Sequence, residues 1–236
     1  MNSPVSAPIV VLEFEDLPAD VRAARLLALR CALAVEGIAV DESSFDRQCT
    51  GPFMAGAVRL MFSHLGACAD DTAVDLCVLR ALREFRARVA RGVSLAPGTP
   101  GTPAFARNAA GCVGLGLVAG VPRPDVDAAL SPAALADAVA SILTTEDDAR
   151  MAGTAGLFQR AFTRMGRCGG RPLENPAALV ATTNVIVAAR TSAMHTVDVG
   201  PSSSVHACRG DVHFDSLEGV HVSEVVRLVL VQEATT

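Results

Sequence analysis

The chain contains no lysine, no tryptophan and no tyrosine, and its 20 basic residues are all arginines. Without lysine there can be no Schiff base, no P-loop phosphate clamp and no lysine holding a phosphoryl group. Without Trp and Tyr, only phenylalanine could stack against single-stranded bases. The net charge is −5 and no basic face is clustered in the sequence, so nucleic acid is not an expected partner. No apolar run reaches the roughly 18 residues that a membrane span needs, so membrane insertion is not expected. The opening MNSPVSAPIV has no basic region ahead of an apolar stretch, which predicts no secretory signal and a cytoplasmic protein. The seven cysteines are odd in number, widely spaced and free of any CxxC, which argues against a disulfide framework or a zinc knuckle. They are expected to be reduced and mostly buried as small apolar residues.

What the chain does have is a core. Half of its 236 residues are hydrophobic, enough for one sizeable α/β domain or a core with an inserted subdomain. An apolar run from Val10 predicts a first strand. DVRAARLLALRCALAVEGI then predicts a helix with Asp20 as N-cap, an apolar face through Leu26, Leu29 and Leu33, and Gly37 as its stop. A second helix is expected over 71–91, with Glu84 and Arg88 as an i,i+4 pair. Between Glu36 and Gly92 the pattern is helix and loop. Pro and Gly punctuation over 92–111 marks the entry to another unit.

After that the period alternates. Strands are expected at 113–120, 141–143, 177–181 and 195–200, the last making five in all. Helices are expected from Ser131-Pro132, along the stripe Leu157, Phe158, Ala161, Phe162 and Met165, and over NVIVAARTSAM. Strands and helices in alternation predict a Rossmann-like α/β core with a parallel five-stranded sheet.

The first strand ends in VVLEFEDLPAD, which places Glu13, Glu15 and Asp16 at its carboxyl end and Asp20 just beyond. Ligands of open α/β sheets bind at that edge. The carboxylates could gather a hard cation, or form a solvated rim paired with arginines.

The order of segments resembles the haloacid dehalogenase-like (HAD) hydrolases, over roughly residues 8 to 220. The landmarks are EFED followed by a helical stretch, LAPGTPGTPAFARNAAG, the strand ending in VAGVPR, EDDARMAG leading into GLFQRAFTRMG, and VIVAARTSAMHTVDVG. The resemblance is to the small helical-cap branch of sugar-phosphate phosphatases and β-phosphoglucomutases, which includes the Rubisco-associated phosphatases. It implies a core of residues 1–18 and 89–236 with a helical cap at 19–88.

The resemblance also implies a chemistry: a nucleophilic aspartate, a second aspartate as general acid and base, a Ser or Thr and a Lys on the phosphoryl oxygens, and further acids that help bind Mg²⁺. Carried over position by position, the nucleophile falls on Glu13 and the acid/base on Glu15, with Asp16-Leu17 in place of a Gly-Thr step. The hydroxyl position falls on Ala119 and the lysine position on Ala152. The paired acids fall on Val180 and Ala181, followed by Thr182 and Thr183, and no acid lies between Glu174 and Asp198. The extra methylene at Glu13 and Glu15 moves each carboxylate by about a bond length, and a misplacement near 1 Å can cost on the order of 10²-fold.

Four further features bear on function. Arg150, two positions from Ala152, could replace the lysine or serve as a surface arginine. VHACRGDVHFDSLEGVH gathers His206, Cys208, Asp211, His213, Asp215 and His221, a possible transition-metal set with His195 nearby in sequence; the plain alternative is loop or strand-end histidines. Arg83, Arg86, Arg88 and Arg91 could bind an anion or an acidic partner, or form the wet face of a helix. Ser202, Ser203 and Ser204 would need a nearby base to act as nucleophiles, and a loop is the plainer reading. The expectation is a catalytically inactive HAD-like pseudoenzyme that acts as a binding, structural or assembly subunit. Its partner would be another protein or a second copy. No cofactor is expected; Mg²⁺ would enter only in an active but altered hydrolase.

Overall fold

The computed structural model describes residues 8–14, 19–20, 22–49, 54–64, 70–90, 96–97, 99–110, 112–130, 135–148, 154–168, 176–181, 183–200 and 210–233. The first strand, β1 (Ile9–Glu13), reads IVVLE and is buried at every position. Such continuous burial is what a central parallel strand covered on both faces requires. Around it lie β4 (Gly114–Val118), β5 (Ser141–Leu143), β6 (Ala177–Val180), β7 (His195–Val199) and β8 (Val212–Phe214). The sheet order is β5-β4-β1-β6-β7-β8, with every pairing parallel. Among the described residues the sheet therefore has six strands where the sequence pattern predicts five. The additional strand, VHF, is only three residues long and half-buried throughout, so it has no apolar run to announce it.

Alternation divides the sheet's side chains between two cores. Val10, Leu12, Phe14, Leu117, Leu179, Val197 and Val199 join one cluster, with Phe105, Val126, Val225 and Val229 on the helices over that face. These helices are α5 (Thr102–Ala109), α6 (Arg123–Leu130) and α9 (Val222–Glu233). Ile9, Val11, Val118, Leu143 and Val180 face the other way, onto Leu157, Phe158, Ala161 and Met165 of α7 (Thr154–Cys168) and Val185, Ile186 and Ala189 of α8 (Thr183–Thr191).

Between β1 and β4 the chain forms α1 (Arg22–Ala34), α2 (Glu42–Gln48), α3 (Met54–His64) and α4 (Asp71–Ala90), which enclose a core of their own built on Leu29, Leu33, Phe45, Met61 and Cys77. Where the chain passes between the two parts, β2 (Ala19–Asp20) pairs antiparallel with β3 (Ala96–Pro97). Asp20 lies in β2, opposite Ala96, two residues before the start of α1 at Arg22, and the capping expected of its side chain lies outside the described residues. Gly37 does stop α1. At φ +72° it lets its own N–H reach Ala34 O and the Ile38 N–H reach Leu33 O, closing a Schellman cap.

Two helices lie where the sequence shows only punctuation. In α5, Gly101 is left-handed and Pro103 sits in the first turn, so residues that break helices elsewhere start one here. In α6, Pro124 lies in the first turn. The helix expected from Ser131-Pro132 begins outside the described residues, and a 3₁₀ turn, Ala136–Ala138, lies just beyond. Arg88, expected to pair with Glu84, donates to Cys31 Sγ on α1 at 3.6 Å. No helix among the described residues is long and apolar enough to cross a membrane.

Two glycines give a test of this packing. A Cβ at Gly101, where φ is +87°, would lie 2.2 Å from Glu218 N and Leu217 C, both backbone atoms. At Gly116 a Cβ would meet Met165 Sδ at 2.6 Å, on a flexible side chain. Gly101→Ala is expected to cost about 2 kcal/mol or more in urea denaturation, and Gly116→Ala clearly less.

Candidate functional site

The sheet's carboxyl edge is built from one register row. Leu143 pairs with Val118, and Val118 with Glu13. One step beyond the Leu12–Leu179 pair, Glu13 is level with Val180, which pairs with Asp198, and Asp198 with His213. Paired residues in a parallel sheet point to the same face, so this row carries Glu13, Asp198 and His213 on the face that packs against α7 and α8.

Glu13 is 3% exposed. Its Oε2 accepts the Ala181 backbone N–H at 2.9 Å, across to the strand beside it. On its other side the ladder continues past Glu13, with Phe14 N–H donating to Val118 O at 2.9 Å. A carboxylate at such a place must be partnered, because an unpaired charge in an apolar interior costs several kcal/mol or more. One such partner is main chain, at the point where β6 ends ahead of α8.

Of the other motif positions, Ala119, Val180 and Ala181 are described. Ala119 is fully buried and packs in the cluster opposite Glu13, its N–H donating to Leu143 O at 2.9 Å. Val180 is buried in the α7/α8 cluster, and Ala181 packs on the opposite one. Glu15, Asp16, Ala152, Arg150, Arg91, Ser202, Ser203, Ser204, His206 and Cys208 lie outside the described residues, as does the side chain of Asp20. Past β5, Thr144 N–H and Asp147 Oδ2 are 2.9 Å apart, Arg164 lies 3.6 Å from Asp147, and Arg160 donates to the Asp147 carbonyl. These charged groups are tied to one another. Arg86 is bound to Asp125 of α6 at 2.9 Å, while Arg83 is exposed.

The C-terminal cluster is brought together only in part. His213 Nδ1 lies 3.2 Å from Asp198 Oδ2, and its Nε2 lies 3.3 Å from Asp215 Oδ1. Asp198 is a partner that the sequence reading missed. Its signal was present: a lone acid flanked by Val197 and Val199 in a buried strand. Asp211 Oδ2 accepts from the Thr196 N–H at 2.8 Å and the Thr196 hydroxyl at 2.9 Å, and Arg190 holds Oδ1 at 2.9 Å. Burial alone would raise the Asp211 carboxyl, but the Thr196 hydrogen bonds and Arg190 outweigh it and hold it below the usual range. His221 is elsewhere, bonded to the Ser223 hydroxyl, and His195 opens β7 at the far end. Among the described residues, no three His, Cys, Asp or Glu side chains form a group that could hold a metal ion. Of the cysteines, Cys49 and Cys77 are buried, as expected, but Cys31 and Cys112 are exposed. Burial pushes the Cys49 thiol up to about 11, against an opposing pull from Arg25. A thiol of that kind is a poor nucleophile.

The fold of this chain recurs in solved structures. A β-phosphoglucomutase (pgmB) from Clostridium difficile superposes with a TM-score of 0.81 at 11% identity, covering 97% of this chain and 99% of that one. CbbY from Rhodobacter sphaeroides, solved in complex with phosphate, gives 0.73 at 15% identity over 92% and 98% of the two chains. The HAD-hydrolase YfnB from Bacillus subtilis, bound to magnesium, gives 0.61 at 13% identity over 94% and 99%. The chain has the HAD-like fold, with a helical cap. No family model and no curated protein matches the sequence.

Within the HAD-like fold, the described donors do not fit Mg²⁺. A hard cation of this kind wants several oxygens in a compact shell. The end of β6 supplies Val180 and Ala181, and one Glu13 oxygen is already on the Ala181 N–H. The next carboxylate in the row, Asp198, stands two strands from Glu13, about 10 Å across the sheet.

This geometry has two measurable outcomes. Glu13→Ala leaves the Ala181 N–H without its acceptor and is expected to cost about 1–3 kcal/mol in urea denaturation, whereas Glu13→Gln keeps an acceptor and costs less. Asp211, with a depressed folded pKa, adds stability above its unfolded value of about 3.9, which is lost as pH falls through the lower folded value. Denaturation midpoints measured from pH 7 to pH 2 should therefore drop less for Asp211→Asn than for the wild type.

Proposed function

We propose that this chain is a HAD-fold pseudoenzyme, a phosphatase-like scaffold without phosphoryl-transfer machinery that serves as a binding, structural or assembly subunit. Its partner is another protein or a second copy, in the cytoplasm, without nucleic acid, membrane insertion or a required cofactor. The observation that supports this reading best is the Glu13 carboxylate, buried and hydrogen-bonded to the main chain of the strand where the resemblance expects acids. The position where the resemblance expects a phosphoryl-binding hydroxyl is Ala119, and no lysine exists to hold the phosphoryl oxygens. Groups that act as a unit lose nearly all their rate when the set is broken.

A second reading draws on that same burial. A carboxylate shielded from water could serve as a base on a non-phosphate substrate.

The test is turnover with Mg²⁺ on sugar phosphates and on an aryl phosphate. The expected result is release no faster than the no-enzyme control. A metal-dependent rate that Glu13→Ala abolishes would overturn the proposal. Purification from the native host under mild conditions should recover the chain in a stable complex.

A further inference from the structure

The helix α4 presents two faces of different character. Val74, Cys77, Ala81 and Phe85 are buried. The opposite stripe runs Thr72, Asp75, Leu76, Leu79, Arg83 and Arg86, all exposed, at the three- and four-residue steps that keep side chains on one face. Its centre is apolar. Leu79 is 63% exposed and Leu76 48%. Beside it, Glu36 at the end of α1 is bound to Arg80, and Val35, adjacent to that ion pair in sequence, is 65% exposed. Large aliphatic side chains left exposed on neighbouring helices point to an interaction surface.

The charges on the stripe indicate what covers it. Asp75 lies four residues before Leu79, and Arg83 four residues after it. A two-fold axis through Leu79 that sets two α4 helices antiparallel therefore places each Asp75 opposite the Arg83 of the second copy, with the two Leu79 side chains meeting at the axis. The same operation brings Leu76 toward the partly buried Leu82 of the second copy, and Thr72 toward its Arg86. A parallel arrangement would instead set Asp75 against Asp75 and Arg83 against Arg83. A two-fold interface must be complementary to itself, and a helix with acid at one end of the stripe, base at the other and leucine between them meets that condition.

We infer that the exposed face of α4 is the two-fold interface of a homodimer, in which Leu79 packs at the axis and Asp75 pairs with the second copy's Arg83. Arg86 contributes less, since its guanidinium is already held by Asp125. The dimer does not depend on the chemistry of the Glu13 edge, and would form in a pseudoenzyme or in an active hydrolase alike.

Sedimentation equilibrium from about 1 to 100 µM tests this on the full chain. The wild type should show a concentration-dependent monomer–dimer equilibrium. Leu79→Arg should raise the dissociation constant at least about tenfold. Asp75→Arg and Arg83→Asp should each weaken the dimer, and the double variant, which restores opposite charges with signs exchanged, should recover most of the wild-type affinity. All three positions are exposed, so circular dichroism and the melting temperature should stay near wild type. A wild type that remains monomeric over that range overturns the inference. So does a dimer indifferent to Leu79→Arg, or a pair of charge reversals whose combination is no better than either alone.

Discussion

The hydrogen bond from the Ala181 N–H to the Glu13 carboxylate joins the two central strands of the sheet at the edge where α/β proteins bind their ligands. Everything below it is main-chain ladder and apolar packing, buried on both faces of β1. A charge at the end of such a strand needs a partner, and a protein can supply one in several ways: a cation, an arginine, water or its own backbone. At this position the backbone supplies one hydrogen bond, from the Ala181 N–H. That bond carries the β1–β6 connection one step beyond the ladder, among apolar residues. Val118, Leu143 and Val180 continue the packing of α7 and α8 up to the level of Glu13.

Much of the fold was legible in the sequence because burial on both faces writes continuous apolar runs. IVVLE, GLGLV and AALV could be read directly, and their alternation with helical stripes gave the parallel sheet. The elements missed were those that burial marks weakly. β8 is three residues of VHF, half-buried at an edge. α5 and α6 each place a proline in the first turn, where the ring costs nothing but reads from the sequence as a break. The pairing of Asp20 with Ala96 could not be read from the sequence, because its partner lies far along the chain. The candidate site was legible only as positions. Glu13 could be placed at the edge from the sequence, but its bond to Ala181 spans 168 residues and depends on strand order. The Asp198–His213 contact depends in the same way on β8 lying beside β7.

The molecule thus has two regions of interest with different chemistry. Among the described residues, the sheet edge is buried and apolar between its charges. The outer face of α4, in contrast, exposes leucine between charges of opposite sign. In the proposed account, binding has replaced catalysis, and the cap helices that in an enzyme would cover a substrate here offer a surface. The HAD-like fold makes this division easy, since the four inserted helices carry a hydrophobic core separate from the sheet.

The central claim is that the edge around Glu13 no longer assembles a phosphoryl-transfer site. Titration calorimetry with Mg²⁺ and orthovanadate, which mimics the phosphoryl-transfer transition state, measures that capacity without requiring the right substrate. The account predicts no saturable heat for vanadate in the presence of Mg²⁺, and no difference between the wild type and Glu13→Gln. Saturable, Mg²⁺-dependent vanadate binding that Glu13→Gln removes would contradict it.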